Sequence, residues 1–529
     1  MKLEKEPEKE LSEESTKKIV INRVTVKSLE SKTEYTIALE NLLTELKEAV
    51  GTQFVSNLPE DLIPYLRDAF SPLLEKFFGK PAMPGLVVFP GNVEEVQKVV
   101  KIANKYKIPV LPVTFGTNMA GATIPTVEGS MIVDLSRLNN IIEINEESMT
   151  ATIEPAVSFG KLDAEARKHG LKTVSKVGGY TGGLIGNFVS ANMRPYNARY
   201  GWTDPVVSLE VVLPSGELLR TGSQAVPGFE KLNPYVRLCF GPDFVGLFRG
   251  SLGAYGIVTK MVVRLYPIGE KNEFLWYEFS NLKDLLNAIR NTQRNDIGIS
   301  VLAYNASHLY SILADYEDRK DPKKSKQIKS LISERSWYLF IELEGPAERV
   351  DAEKKITDRI CAKENNGKVV KFQSDKLMKY LQDFTTHRGE AVMHQCCGGF
   401  FGFWCNMPLS KITSFIEEVQ SQFENLGLKD FICPDEPLAM RYAIIPFDRG
   451  TTMVCGISIE YDPLDKEQTE KLSEMIQPLI ITMLKHGGTI PLTMQQLTNM
   501  LLMPSYAELI RGIKKLLDPN NILAPNKLC

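Results

Sequence analysis

The stretch PGLVVFPGNVEEVQKVVKIANKYKIPVLPVTFGTNMAG, residues 84–121, holds the pattern that decides the fold. After a Pro-Gly break it opens on a short apolar run, Leu86-Val87-Val88-Phe89. Asn92 stands where it can cap a helix, and Glu95 completes a capping-box pattern. Val93, Val96, Val99, Val100 and Ala103 follow at helical spacing and make one face apolar. A second run, Ile108-Pro109-Val110-Leu111, leads into the loop Thr114-Phe115-Gly116-Thr117-Asn118-Met119-Ala120-Gly121. Strand, helix, strand and glycine-rich loop make an α/β unit. Its last loop lets backbone N–H groups gather on an anion without interference from Cβ atoms, which suits a diphosphate.

Downstream, short strands are readable at Met131–Asp134, Ile141–Ile144 and Ala151–Glu154. Ser158 can cap a helix that stops at Gly170, and Ser208 to Thr221 reads as a hairpin turning at Pro214-Ser215-Gly216. The mixture predicts an α+β fold and not a regular βαβ repeat. A second glycine-rich stretch, Gly178-Gly179-Tyr180-Thr181-Gly182-Gly183-Leu184-Ile185-Gly186-Asn187, would let backbone lie flat against a planar ligand. A third runs from Phe248 through Gly250, Gly253, Gly256, Ile257 and Val258 to Lys260. Neither a Walker loop nor a G-x-G-x-x-G dinucleotide fingerprint occurs, so NAD on a Rossmann domain has no support.

The 529-residue chain is long enough for two or more domains, and its 43% apolar and 24% charged residues are ordinary globular composition. A net charge of −3 gives no sign of a nucleic-acid partner. The first residues, MKLEKEPEKE, form a charged tail without an apolar stretch, and no run of roughly 18 apolar residues suggests a membrane span. The expected location is cytoplasmic. Eight cysteines are scattered without a C-x-x-C. Cys361, Cys396, Cys397 and Cys433 approach the cysteine-rich repeat of heterodisulfide reductases, but Glu436 stands at its closing position. They read as free thiols, and no metal site is expected.

Together the three stretches and their flanks resemble one family. Residues 84–121 and 129–162 look like the first half of the FAD domain of vanillyl-alcohol oxidase and p-cresol methylhydroxylase. Residues 182–223 and 240–268 resemble its second half, and 513–528 its C-terminal end. The resemblance implies a two-subdomain FAD-binding domain of the p-cresol methylhydroxylase (PCMH) type at 35–268, completed by 499–529. An α+β cap domain at 269–498 would build the substrate pocket, after a tail at 1–34. It implies that Thr114, Phe115, Gly116, Thr117, Asn118 and Met119 hold the FAD diphosphate. Gly178, Gly179, Thr181, Gly182, Gly183, Gly186 and Asn187 would run along the flavin, and Gly256, Ile257 and Val258 would meet the adenine end.

The implied activity is hydride removal to flavin N5 from a small alcohol, hydroxy acid or benzylic or phenolic compound. Relatives often tether FAD through a histidine in the first loop. Asn118 and Met119 occupy that neighbourhood here, so non-covalent FAD is expected. The Tyr-Arg pair that holds a phenolate in relatives is replaced by Ile490-Pro491. Near the place of their acidic residue at the flavin, Asp204 is the nearest carboxylate. Arg388 and His394 are candidates for binding an anionic substrate or supplying a base, and Arg441 with Tyr442 forms an adjacent cation and phenol. Pro155-Ala156-Val157 stands where relatives often have Pro-Gly, and the extra bulk favours a dehydrogenase over an oxidase. The expected partners are a substrate, an iron–sulfur or cytochrome electron acceptor, and further copies of the chain. Two other readings stay open: a flavin-bearing electron-transfer subunit without substrate chemistry, and a flavin-dependent transferase.

Overall fold

The structure, a computed structural model, describes residues 32–67, 73, 75, 80–116, 121–174, 180–190, 204–229, 236–238, 241–314, 318, 321–333, 336–365, 399–428, 440–489 and 503–528. The helix α1 (Lys32–Val50) packs beside a first sheet of β1 (Val55–Ser56), β2 (Leu86–Val88), β3 (Val110–Val113) and β4 (Met131–Asp134). Its order is β1-β2-β4-β3, with β2, β4 and β3 parallel. Joining β2 to β3, α2 (Val93–Tyr106) buries Val96, Val99, Val100 and Ala103, the face its spacing announces. The Asn92 side chain accepts the Glu95 N–H at 2.9 Å, while the Glu95 carboxylate accepts from Gly91 N at 2.6 Å. The capping box therefore closes one residue earlier than the sequence pattern suggests.

The second sheet is antiparallel in the order β5-β6-β10-β8-β9. Its strands are β5 (Ile141–Asn145), β6 (Thr150–Ile153), β8 (Val206–Val212), β9 (Leu218–Arg220) and β10 (Ile257–Arg264), with α3 (Phe159–Arg167) and β7 (Leu171–Lys172) between β6 and β8. Ser158 Oγ caps α3 by accepting Lys161 N–H at 3.2 Å. Val87, Leu111 and Ile132 of the first sheet share a core with Ala151, Ile153, Leu209 and Met261 of the second. Each sheet thus covers an apolar face of the other, as layered architectures require.

Beyond β11 (Tyr266–Pro267), which pairs with β7, a third sheet begins. It comprises β12 (Lys271–Phe279), β13 (Ser300–Asn305), β14 (Trp337–Gly345), β15 (Gly399–Met407), β16 (Arg441–Phe447) and β17 (Thr452–Tyr461). The order is β12-β14-β13-β16-β17-β15, antiparallel throughout. Against one face lie α4 (Leu282–Arg294), α6 (Ala347–Glu364), α7 (Ile412–Asn425) and α8 (Lys466–Lys485). The other face packs on α5 (Ala306–Leu313). The final helix is α9 (Pro504–Leu517), and the chain after it returns to the first sheet. Among the described residues no helix is long and apolar enough to cross a membrane.

Candidate functional site

Thr114, Phe115 and Gly116 leave the end of β3 and meet the second glycine-rich stretch. A Cβ on Gly183 would stand 2.6 Å from the Phe115 ring, and one on Gly186 3.7 Å from Thr114 Oγ1. The second stretch is fixed from behind by Phe159 N donating to Gly182 O at 3.0 Å and by a bridge between Ser158 and Gly183. Asn187 folds its amide back on Gly183 O at 2.8 Å. The third stretch is stitched to the second: Gly250 N donates to Val189 O at 2.7 Å and Arg249 Nε to Phe188 O at 2.8 Å. Gly253, at φ +80°, backs onto Pro112 of β3, where a Cβ would come within 2.6 Å of the ring.

All three stretches therefore gather round the end of one strand, although they span more than a hundred residues of sequence. Gly116 and Gly121 have φ of +63° and +70°, and a Cβ on either would meet nothing within 4 Å. Glycine there keeps open space beside left-handed backbone, a cradle suited to a diphosphate. Gly256 differs. Its missing Cβ would strike Val211 at 2.4 Å, so its smallness serves strand packing. Ile257 and Val258 begin β10 opposite Val212 and Val211, with both side chains buried. Thr181 and Gly182 lie in the described turn, whereas Thr117, Asn118, Met119, Gly178 and Gly179 fall outside the described residues.

Two carboxylates, Asp163 buried and Asp204 half-buried, hold this region. Asp163 accepts from Thr173 N and Oγ1 at 3.1 Å each, from Tyr180 OH at 2.9 Å and from Arg167 Nε at 2.7 Å. It ties both ends of the approach to the second stretch. Burial, then the Asp163 charge, pushes the Tyr180 phenol well above its ordinary range. Asp204 is clamped between Arg237 and Arg249. Arg237 also holds Asp243 at 2.6 Å; burial raises the Asp243 pKa, but hydrogen bonds from Arg237 and Gly246 N outweigh it and the net shift is downward. Asp204 is thus a charge clamp that joins Arg249 of the third stretch to Arg237.

In the cap, Arg441 and Tyr442 are neighbours in sequence but not in space. Alternation along β16 sends them to opposite faces. Tyr442 enters the helix-covered core beside Trp337, with its OH donating to Met440 Sδ at 3.7 Å, and burial pushes its phenol far up. Arg441 lies on the other face, paired with Glu460 at 2.6 Å, their side chains 2% and 1% exposed. The register puts Ser458 opposite Arg441 and Tyr304 opposite Ala443 on that face. His308 of α5 stacks on Tyr304 at 4.3 Å. Asn305 caps α5 and grips the backbone on either side of Arg441, donating to Met440 O at 2.9 Å and accepting from Tyr442 N at 3.0 Å. Glu460, Asn305, Tyr304 and His308 escaped the sequence reading. The signal available was Glu460, a carboxylate placed among Ile457, Ile459 and Tyr461 in a strand-like run.

Arg388 and His394 lie outside the described residues, as do Cys396, Cys397 and Cys433. Cys361 is buried in the core between the third sheet and its helices. Among the described residues no group of three or more His, Cys, Asp or Glu is placed to hold a metal.

Comparison with known proteins gives this geometry its context. A family model described as FAD binding domain matches residues 84–222, and one described as FAD linked oxidases, C-terminal domain, matches 269–528. The chain is 26% identical over 469 residues to the flavoprotein subunit of 4-cresol dehydrogenase (hydroxylating) from Pseudomonas putida, covering 84% of this chain and 87% of that protein. It is 25% identical over 460 residues to glycolate oxidase subunit GlcD of Bacillus subtilis (strain 168), covering 84% and 89%. The crystal structure of p-cresol methylhydroxylase with substrate bound superposes with a TM-score of 0.79 at 23% identity, covering 95% of this chain and 98% of that one.

Proposed function

The chain belongs to the PCMH-type FAD flavoprotein family and is an FAD-dependent oxidoreductase, and on that premise we propose that it is a dehydrogenase of a small hydroxy compound carrying an acidic group. In this reading residues 114–119, 178–187 and 256–258 hold FAD non-covalently. Bound FAD supplies a two-electron acceptor that the twenty amino acids lack. The protein's own residues bind, orient and exclude water. Arg441 is the candidate cation of the third sheet for an acidic substrate, because a guanidinium fork suits a carboxylate or phenolate. Asn305 keeps that arginine in register. Arg388 and His394 are the candidates for a second anion contact and for taking the hydroxyl proton.

The preference for a protein electron acceptor over oxygen rests on one observation. Ala156 sits in a tight buried turn, its N–H bound to Leu138 O at 2.8 Å, and the next carbonyl, Val157 O, receives Leu184 N from the second glycine-rich stretch. In this reading the extra bulk of alanine over glycine at this turn narrows the path by which oxygen would reach the flavin. The name of the 4-cresol dehydrogenase relative, a flavoprotein subunit, is consistent with a partner that takes electrons.

Stopped-flow mixing of the substrate-reduced protein with air-saturated buffer tests the acceptor. Slow reoxidation that quickens in Ala156→Gly is expected; rapid reoxidation of the unaltered protein would make it an oxidase. Acid precipitation of the purified protein should leave the yellow colour in the supernatant, and colour held in the pellet would overturn non-covalent binding.

A further inference from the structure

The chain after α9 returns to the free edge of the first sheet. Val110 N donates to Ile522 O at 2.6 Å and Ala524 N to Val110 O at 2.7 Å, so 522–524 lies parallel beside β3. That strand delivers the first loop, and Gly253 of the third stretch packs on its Pro112. Two lysines of the returning segment are almost fully buried, Lys514 at 8% and Lys527 at 1% exposure.

Lys514 Nζ donates to Ala254 O in the third stretch at 2.9 Å, to Leu523 O at 2.7 Å, and to Asp518. Asp518 in turn accepts from Ile522 N at 3.0 Å and Leu523 N at 2.8 Å. Lys527 Nζ donates to the carbonyls of Gly121 and Ile124, at the downstream root of the first loop. Thr126 Oγ1 donates to Pro525 O at 2.7 Å beside it. Each ammonium thus joins the returning segment to a different glycine-rich stretch.

The chemistry of the acceptors gives the arrangement its direction. In a planar trans peptide the C=O and N–H point to opposite sides. A cation that draws the Gly121 carbonyl towards the tail turns the Ala122 N–H away from it, and the Ala254 carbonyl held by Lys514 does the same for Tyr255 N–H. Peptides so oriented present their positive ends away from the tail, and at the root of the first loop an N–H set in that way can meet an anion. A buried ammonium is costly unless its donors are used, so it fixes those carbonyls more firmly than a neutral group would.

We propose that Lys514 and Lys527 are positioning residues for FAD: through backbone carbonyls Lys527 sets the downstream root of the loop assigned to the diphosphate and Lys514 the stretch assigned to the adenine end, and docking of 522–528 is thereby coupled to FAD binding. The inference rests on FAD binding and not on the substrate or acceptor proposed above.

The test is the affinity of FAD-free protein, prepared under riboflavin limitation, for added FAD, read by quenching of flavin fluorescence. Lys527→Met should weaken binding on the order of tenfold or more, and Lys527→Arg, which keeps the charge, should recover most of it. A folded Lys527→Met with unchanged FAD affinity would overturn the proposal, whatever its melting temperature. Should that variant fail to fold, hydrogen exchange on the unaltered chain decides. Because coupling is reciprocal, FAD should slow exchange at Ile522, Leu523 and Ala524, and identical rates with and without FAD would refute it.

Discussion

Arg441 and Glu460 bury opposite charges side by side, 19 positions apart in the chain. Removing one partner strands the other, so Arg441→Met should cost about 3–5 kcal/mol in urea unfolding. Arg441→Lys keeps the charge and loses the fork. If the arginine reads an acidic substrate, KM should rise in that variant with little change in melting temperature. Thiols give a different residue-scale prediction. Burial pushes Cys455 up to about 12 and Cys405 well above its ordinary value, and Cys361 is buried too. These three of the eight should stay silent towards a thiol reagent until the protein unfolds. The residue types at Arg441 and Tyr442 were legible in sequence as a cation and a phenol, but their faces were not. Strand alternation decides the faces, and Glu460 and Asn305 become partners only through sheet pairing. The Asp163 and Asp204 clamps were hidden for the same reason, because their partners come from separate turns of chain.

At the scale of elements, the local rules read well. Asn92, Ser158 and the apolar face of α2 do in space what their spacing says. Asn92→Ala should lower stability by about 1 kcal/mol, seen as a lower melting temperature. The glycines divide into two kinds that sequence cannot separate. Gly253 has left-handed backbone and Pro112 against it, so Gly253→Ala should destabilise the fold clearly. Gly116 has left-handed backbone facing open space. Gly116→Ala should cost only about 1–2 kcal/mol of backbone strain but weaken FAD binding; melting curves with and without FAD separate the two effects. Sheet order was the illegible part. β10 lies between β6 and β8 although more than forty residues follow β8 before it begins, and such pairings leave no trace in local periodicity.

At the scale of the molecule, β7 and the third sheet meet at a small buried charge cluster. Lys172 of β7 pairs with Glu344 of β14, and Glu344 also receives Gly269 N at 2.6 Å. Its neighbour Glu342 is buried and its pKa is raised by that burial. A raised folded pKa means that the native state favours the protonated form, so Glu342 lowers stability as pH climbs from the unfolded value through the folded one. Glu342→Gln should therefore be tolerated or mildly stabilising at neutral pH, keeping the contact to Asn272. Glu344→Gln, which weakens the pairing with Lys172, should lower the melting temperature. Composition and motifs pointed to FAD chemistry but not to this junction, because Lys172 and Glu344 are 172 positions apart.

The return of the chain to β3 has a consequence for manufacture. Gly121 and Lys527 are separated by 406 residues. At ~5–20 residues per second, roughly 20–80 s of translation pass between them. Throughout that interval the edge of β3 stands without its 522–524 partner. Chaperone demand should concentrate in that window.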